Sequence, residues 1–173
     1  MKIRLPEEIN KLVELKSGDY VEISGTIYTA RDAAHKKMKE LIDKNESLPF
    51  DIKDNGIYYV GPTPSGNRVY GSAGPTTSSR MDVYTPELLD MGMKFMIGKG
   101  RRSKEVKKAI VRNKAVYFVA AGGAGALLGS CVTKVEDVAF EELLSESIKK
   151  LTVMDFPVFV GIDTDGNDIY EEN

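Results

Sequence analysis

Short apolar runs alternate with amphipathic segments along the middle of the chain. Apolar and polar residues alternate over residues 17–30, which predicts one or two strands with a turn near Gly25. Continuous apolar runs predict buried strands at residues 56–64, 94–98, 115–121 and 153–163. The run at 153–163 leads into TDGND, a hairpin signal before the final IYEEN.

Helices are predicted between these strands. Apolar residues at helical spacing predict a helix that Asp32 caps and that ends near Lys44. Thr85 with Pro86 predicts the start of a short helix, and Ser103 predicts the cap of another. The glycine-rich residues 120–129 are expected to open one more helix. This alternation predicts an α/β fold with a mixed sheet.

Length and composition narrow the class of protein. The chain has 173 residues, of which 42% are hydrophobic, so we predict a single domain over residues 1–173. No apolar run approaches the roughly 20 residues that span a bilayer, and we expect a soluble, cytoplasmic protein. A net charge of −2 argues against a dedicated nucleic-acid binder. A single cysteine and a single histidine exclude a disulfide within the chain and a multi-thiolate metal site.

Two segments carry residues suited to binding an anion. YTARDAAH places Arg31 where a strand meets a helix, although Arg31 as a surface ion-pair residue and Asp32 as a simple cap remain open. GSAGPTTSSRMD, residues 71–82, combines glycines, hydroxyl residues and Arg80. Its composition fits a carboxylate or phosphate site and a plain connecting loop equally well.

Two other features have more ordinary interpretations. Residues 99–114 contain eight Lys or Arg and one Glu, a local charge of 8 − 1 = +7. We interpret this run mainly as a solvated helix face, with an anionic-substrate rim or an RNA contact as alternatives. The glycines of residues 120–129 miss the G-x-G-x-x-G spacing by one residue, so close helix packing is favoured over a nucleotide or small-anion site. Cys131 is expected to be a buried small hydrophobe and His35 a structural hydrogen-bonding residue.

Taken in order, six segments resemble the β subunit, or C-terminal domain, of the class I iron–sulfur fumarate hydratases and the related tartrate dehydratases. The resemblance runs from about Ser17 to Asp168, and GPTTSSRMD with the Lys99–Gly100 pair is its most specific part. The segments are SGTIYTARDAAH, GIYYVGPTP, GSAGPTTSSRMD, FMIGKGRRS, VYFVAAGGAGAL and DFPVFVGIDTDGND. Only residues 138–150 fit loosely.

The resemblance implies a swivelling β/β/α domain, with a mixed sheet or barrel-like body flanked by helices. It also implies a hydro-lyase that hydrates fumarate to malate reversibly and works only with an α subunit. In the family, that subunit holds a [4Fe–4S] cluster, so no metal ligand is expected in this chain. We expect a hetero-oligomer that can also self-associate, with a C4 dicarboxylate substrate and no nucleic-acid or membrane partner.

The resemblance also assigns the site residues. Thr76 matches the family's proposed catalytic base, and the substrate-binding positions are matched by Arg31, Arg80 and Lys99. Thr77 and Gly74 are expected to shape the same loop, and His35 to have at most a supporting role. A tartrate dehydratase β subunit is the alternative within the family, because the same cations would bind either dicarboxylate. An RNA-binding or anion-binding module is the more distant alternative.

Overall fold

The fold is a closed barrel of five strands with helices packed on its outside. It is described from a computed structural model that covers residues 1–121 and 123–171. Gly122 of the glycine-rich segment and the last two residues of the predicted IYEEN arm, Glu172 and Asn173, lie outside the described residues. The strands are β1 (Lys2–Leu5), β2 (Tyr20–Thr29), β3 (Gly56–Tyr58), β4 (Phe95–Gly98), β5 (Val116–Val119), β6 (Val132–Ala139) and β7 (Ile148–Ile162).

Within residues 1–121 and 123–171, four α-helices and three 3-10 helices connect these strands. The α-helices are α1 (Asp32–Asp43), α2 (Thr85–Asp90), α3 (Lys104–Asn113) and α4 (Gly125–Ser130), and the 3-10 helices are Ile9–Glu14, Ser78–Met81 and Glu141–Glu146. The predicted mixed, barrel-like α/β body flanked by helices is confirmed.

The barrel closes because β7 is long enough to pair with two strands that are distant in sequence. Strands β2, β3, β4 and β5 run parallel to one another. β7 runs antiparallel to both β5 and β2 and joins the two ends of that parallel set. β1 and β6 extend the sheet outside the barrel, on β2 and β7 respectively.

The strands are apolar on both faces because both faces are covered. Side chains such as Phe95 and Phe118 fill the barrel interior, while Met96 and Tyr117 on the same strands point outward beneath the helices. A strand buried on both faces reads as a continuous apolar run, which is why β4 and β5 are visible in the sequence.

Several predicted boundaries are wrong. Asp32 is the first residue of α1 and not its cap; Arg31 holds the N-cap position. Thr85 is likewise the first residue of α2, and Tyr84 holds the N-cap position. Ser103 does cap α3, accepting a hydrogen bond from the Val106 N–H at 3.2 Å. The TDGND segment does form a turn. Among the described residues beyond the turn, only Asp168 pairs back with β7, through an isolated bridge to Ile162.

Candidate functional site

The candidate site lies at the carboxyl ends of the parallel strands. Because β2, β3 and β4 are parallel, the residues that follow them emerge at the same end of the barrel. Arg31 follows β2, Gly61 follows β3 and Lys99 follows β4. The arrangement brings positions 31 and 99 to the same end of the barrel, although two strands, two α-helices and one 3-10 helix of the described chain separate them in sequence.

The loop of residues 71–81 is fixed to this end of the barrel by backbone contacts. The Thr76 N–H donates to the carbonyl of Tyr59, just after β3, at 2.7 Å. Thr77 forms a parallel bridge with Lys99, and the Ser78 N–H donates to the Lys99 carbonyl at 2.9 Å. The backbone of Thr77 therefore lies beside that of Lys99, with Thr76 next to it in the chain.

Ser78 and Tyr117 hold the backbone at Lys99 in place through hydrogen bonds. The Lys99 N–H donates to the Ser78 hydroxyl at 3.0 Å, and that hydroxyl lies 2.8 Å from the Tyr117 hydroxyl. Tyr117 also donates to the Gly100 carbonyl at 2.9 Å. A Cβ at Gly98 would collide with Ser78, so glycine is needed for this approach. Sequence reasoning missed the roles of Ser78 and Tyr117, although Ser78 lies in the most specific motif.

Arg80 is oriented by Asp32 at the start of α1. Its Nε donates to one oxygen of Asp32 at 3.1 Å, and its Nη2 donates to the other. Partial burial favours the neutral form of Asp32, but the Arg80 hydrogen bonds and charge outweigh it and hold the pKa of that carboxyl below its ordinary value. The far edge of the guanidinium is not used by Asp32, so it can still receive a carboxylate in a bidentate manner.

Arg31 is held against Gly61 by packing. A Cβ at Gly61 would collide with the Arg31 guanidinium, so only glycine allows this contact. The Arg31 Nε is buried and has no hydrogen-bond partner among the described residues. An unpaired buried donor is costly in free energy. Arg31 is therefore not the surface ion-pair residue that remained open above.

His35 supports Arg31 from the interior. It is 1% exposed, and its Nδ1 lies 2.7 Å from the Arg31 carbonyl, which can only accept. Its ring also packs edge-on against Tyr59. Burial lowers the pKa of His35 to about 4, with the charge of Arg102 acting in the same direction. His35 is a neutral hydrogen-bonding residue of the core, as expected.

Arg102 is an exception to the interpretation of the basic run as a solvated face: Lys104, Lys108 and Arg112 on α3 are exposed, whereas Arg102 lies before α3 and is buried. Its side chain is fully buried between the rings of Tyr59 and Tyr117, with its Cζ 5.3 and 4.7 Å from their centroids. The Nε donates to Asp82 at 2.7 Å, and the other Asp82 oxygen accepts from the Ser103 N–H. Through this buried ion pair, Asp82, which follows the loop of residues 71–81, is joined to the residues that precede α3.

Among the described residues, three of the seven remaining cations of the basic run are paired with acidic groups. Lys107 contacts Asp168 at 3.3 Å, and Arg112 contacts Asp90 at 2.8 Å. Arg101 instead donates to the Tyr170 carbonyl at 2.7 Å. These pairs cancel charge that an RNA backbone would need, so they weaken the RNA alternative.

The glycine-rich segment packs closely against the loop of residues 71–81, and the sequence favours such close packing. A Cβ at Gly125 would collide with Ser72, and one at Gly129 with the carbonyl of Gly71. The Ala73 N–H donates to the Gly125 carbonyl at 2.9 Å. Gly74 is exposed beside this contact, two residues before Thr76.

The remaining candidate groups supply little chemistry. Cys131 was expected to be buried but is only half-buried. Desolvation raises the pKa of its thiol. Across residues 1–121 and 123–171, no group of three or more His, Cys, Asp or Glu could hold a metal ion. In the same part of the chain, no helix is long and apolar enough to cross a membrane.

The fold and site together define a mixed α/β barrel with a cluster of cations and hydroxyls open at the carboxyl ends of its parallel strands. Two guanidinium groups and an ammonium group suit a small molecule with more than one carboxylate. The comparisons with known proteins make this class specific. The chain belongs to the Fumarase C-terminus family, since the sequence model of that family matches residues 1–173.

Its relatives fall into two groups. The chain is 39% identical over 172 residues to a class I aerobic fumarate hydratase of Salmonella typhimurium, covering 97% of this chain and 30% of the relative. It is 40% identical over 172 residues to the class I anaerobic enzyme of Escherichia coli, with 97% and 31% coverage. It is 42% identical over 166 residues to a protein of Methanocaldococcus jannaschii named provisionally as an L(+)-tartrate dehydratase subunit beta, with 92% and 85% coverage. The chain thus spans under a third of these two fumarate hydratases and most of the beta subunit.

Proposed function

We propose that this chain is the β subunit of a two-subunit hydro-lyase that hydrates fumarate to malate reversibly and is active only with a cluster-bearing α subunit. One observation carries the proposal. Arg31 and Lys99 follow parallel strands at the same end of the barrel and Arg80 pairs with Asp32, next to Arg31, in a chain that aligns with 30% of an aerobic fumarate hydratase. The rest of such an enzyme would close the site from the other side.

The cations would bind the two carboxylates of the substrate. Arg80, with Asp32 on one edge, presents its other edge for a bidentate pair. Arg31, at the start of α1, would contribute the positive charge of its guanidinium to binding one carboxylate. Lys99 would add a point charge against the negative charge that develops on a carboxylate as the neighbouring C–H proton leaves. Thr77 and Gly74 would shape the loop around the bound molecule.

Thr76 would move the proton at C3. In the dehydration direction, its oxygen takes the proton from C3 of malate while the C2 hydroxyl leaves with a proton supplied by the α subunit. A threonine hydroxyl is a weak base in water. The nearby charges of Arg80 and Lys99 would favour its anionic form and so make this role feasible.

The iron–sulfur cluster would belong to the α subunit. This chain has one cysteine, and its described part holds no group able to bind a metal, so the residues here do not fit a cluster. When bound by the partner, a [4Fe–4S] cluster supplies a Lewis acid for a substrate carboxylate and hydroxyl. We place the assembled hetero-oligomer in the cytoplasm.

A second candidate is the β subunit of an L-tartrate dehydratase. It is favoured by the Methanocaldococcus jannaschii relative, of which this chain covers 85% at 42% identity. Tartrate carries the same two carboxylates and one more hydroxyl, so Arg31, Arg80 and Lys99 would serve either substrate.

Reconstitution tests both candidates. The α subunit is defined as the chain from the same organism that matches the remaining part of the fumarate hydratase relatives. The two chains are purified separately, combined without oxygen after iron loading, and offered fumarate, malate or L-tartrate. We expect fumarate hydration by the mixture and none by this chain alone. Turnover of tartrate but not fumarate would establish the second candidate, and absence of any complex would refute both.

A further inference from the structure

A leucine in an unusual backbone conformation lies beside the candidate site. Leu144 has φ 55° and ψ −117° and interrupts the 3-10 helix Glu141–Glu146. Such angles favour glycine, and a leucine held in them costs free energy. The side chain gains no burial in return, because it is 78% exposed. Nothing in the fold of this chain alone accounts for a leucine here.

Leu144 borders a groove of about 780 Å³, here called the Leu144 groove. One wall comes from the loop after β3 and includes Pro62 and the 57% exposed Val69. The other wall comes from β6 and the Leu144 segment, with Lys149 and Asp137 paired at 2.6 Å at its edge. The groove therefore combines exposed apolar side chains with a charge pair that is already neutralised, as partner-binding surfaces often do.

Both walls of the groove continue into the candidate site. Pro62 follows Gly61, against which the Arg31 guanidinium packs. On the other wall, the Glu146 carboxylate accepts a hydrogen bond from the Ala33 N–H at 3.3 Å, in the first turn of α1 next to Asp32. The groove therefore adjoins the candidate site, and a chain that covers the cations can extend over it.

We propose that the Leu144 groove is a docking surface for the cluster-bearing α subunit, with Leu144 as an apolar anchor inserted into that partner. The inference rests on the proposed function. The occupant is indicated by the groove's continuity with the open site and by the length of the fumarate hydratase relatives, of which this chain covers 30–31%. The strain at Leu144 then serves to present the side chain to the partner.

The test compares the affinity of three variants for the α subunit by isothermal titration, each checked by thermal unfolding. Leu144→Gly removes the anchor and relieves the strain, so it should unfold at the same or a higher temperature, yet raise Kd at least tenfold. Leu144→Asp should raise Kd further, because it would bury a charge. Val13→Asp is the matched control: Val13 is 51% exposed and lies in the 3-10 helix that leads to the amino end of β2.

The outcomes separate this inference from the proposed function. Tight binding by wild type and by Val13→Asp, with weak binding by both Leu144 variants, would support the docking surface. Equal affinities for all four proteins would overturn it and leave the hydro-lyase proposal intact. If Leu144→Asp only dissociated a dimer of this chain, without changing affinity for the α subunit, the groove would be a self-association surface and the inference would be wrong. Failure of the wild-type chain to bind would remove both proposals.

Discussion

Acidification should destabilise the folded chain through His35. The residue is 1% exposed. Its Nδ1–H donates a hydrogen bond to the Arg31 carbonyl, and its Nε2 has no partner among the described residues. Protonation would bury a second N–H and a positive charge near Arg102. The hydrogen bond to the Arg31 carbonyl and the charge of Asp32 oppose this effect, but burial outweighs them and lowers the pKa of His35 to about 4.

The sign and size of the effect follow from linkage. In the unfolded chain the imidazole titrates near its ordinary pKa of about 6.5, so between that pH and about 4 the unfolded state binds the proton that the folded state refuses. The stabilising contribution of neutral His35 is therefore complete above about pH 6.5 and is lost as the pH falls toward 4. One pKa unit corresponds to about 1.4 kcal/mol, so a shift from 6.5 to about 4 gives a loss of roughly 3 kcal/mol.

Urea unfolding at several pH values between 7.5 and 4.5 measures this loss. Wild type should lose about 2–3 kcal/mol more than His35→Gln over that range, because the glutamine does not titrate. Lys36→Gln, on the exposed neighbour, is the matched control and should follow wild type. His35 is the sole histidine of the chain, so its NMR signal needs no assignment. An imidazole titrating near 6.5, or a gap to His35→Gln that is constant with pH, would refute the reasoning.

Three further substitutions test the site and its support. Thr76→Val in the reconstituted enzyme should keep dicarboxylate binding within about threefold but abolish solvent exchange at C3; retained exchange would exclude Thr76 as the base. Arg102→Leu should cost about 3–5 kcal/mol in urea unfolding, because Asp82 would stay buried without its partner; a loss below about 1 kcal/mol would show that the pair is not buried. Tyr117→Phe should cost about 1 kcal/mol, since it removes contacts to Ser78 and Gly100. It should also raise KM more than it lowers kcat by displacing Lys99, and an unchanged KM would remove that positioning role.

The barrel strands were predictable where burial on both faces leaves a strong apolar run. β4 and β5 satisfy this condition, and the sequence places both within one or two residues. β6 was missed because it pairs only with β7 at the edge of the sheet, where charged residues such as Lys134 and Glu136 are tolerated. The closure of the barrel depends on the register of β7 with β2, a pairing across more than a hundred residues that no local pattern encodes.

The candidate site was predictable as a set of residue types but not as a set of contacts. Arg31, Arg80 and Lys99 were assigned through motif resemblance, and the parallel strands do bring positions 31 and 99 to the same end of the barrel. The pairing of Arg80 with Asp32 joins residues 48 positions apart, so a local pattern assigned Asp32 only a capping role. Arg102 was misjudged because a charge run looks the same in sequence whether one member is buried or not.

The most direct test of the shared-site account is a titration of the iron-loaded α subunit with this chain, with and without Arg80→Ala. Fumarate hydration is followed anaerobically as the β chain is added, and complex formation is measured in parallel. We expect wild-type activity to rise to a plateau at equimolar chains. Arg80→Ala should form the complex with similar affinity but lose at least about thirtyfold in kcat/KM, because a substrate carboxylate would be left unpaired, at a cost of about 2–5 kcal/mol. Near wild-type turnover by an Arg80→Ala complex would contradict the account, since the cation cluster of this chain would then be no part of the active site.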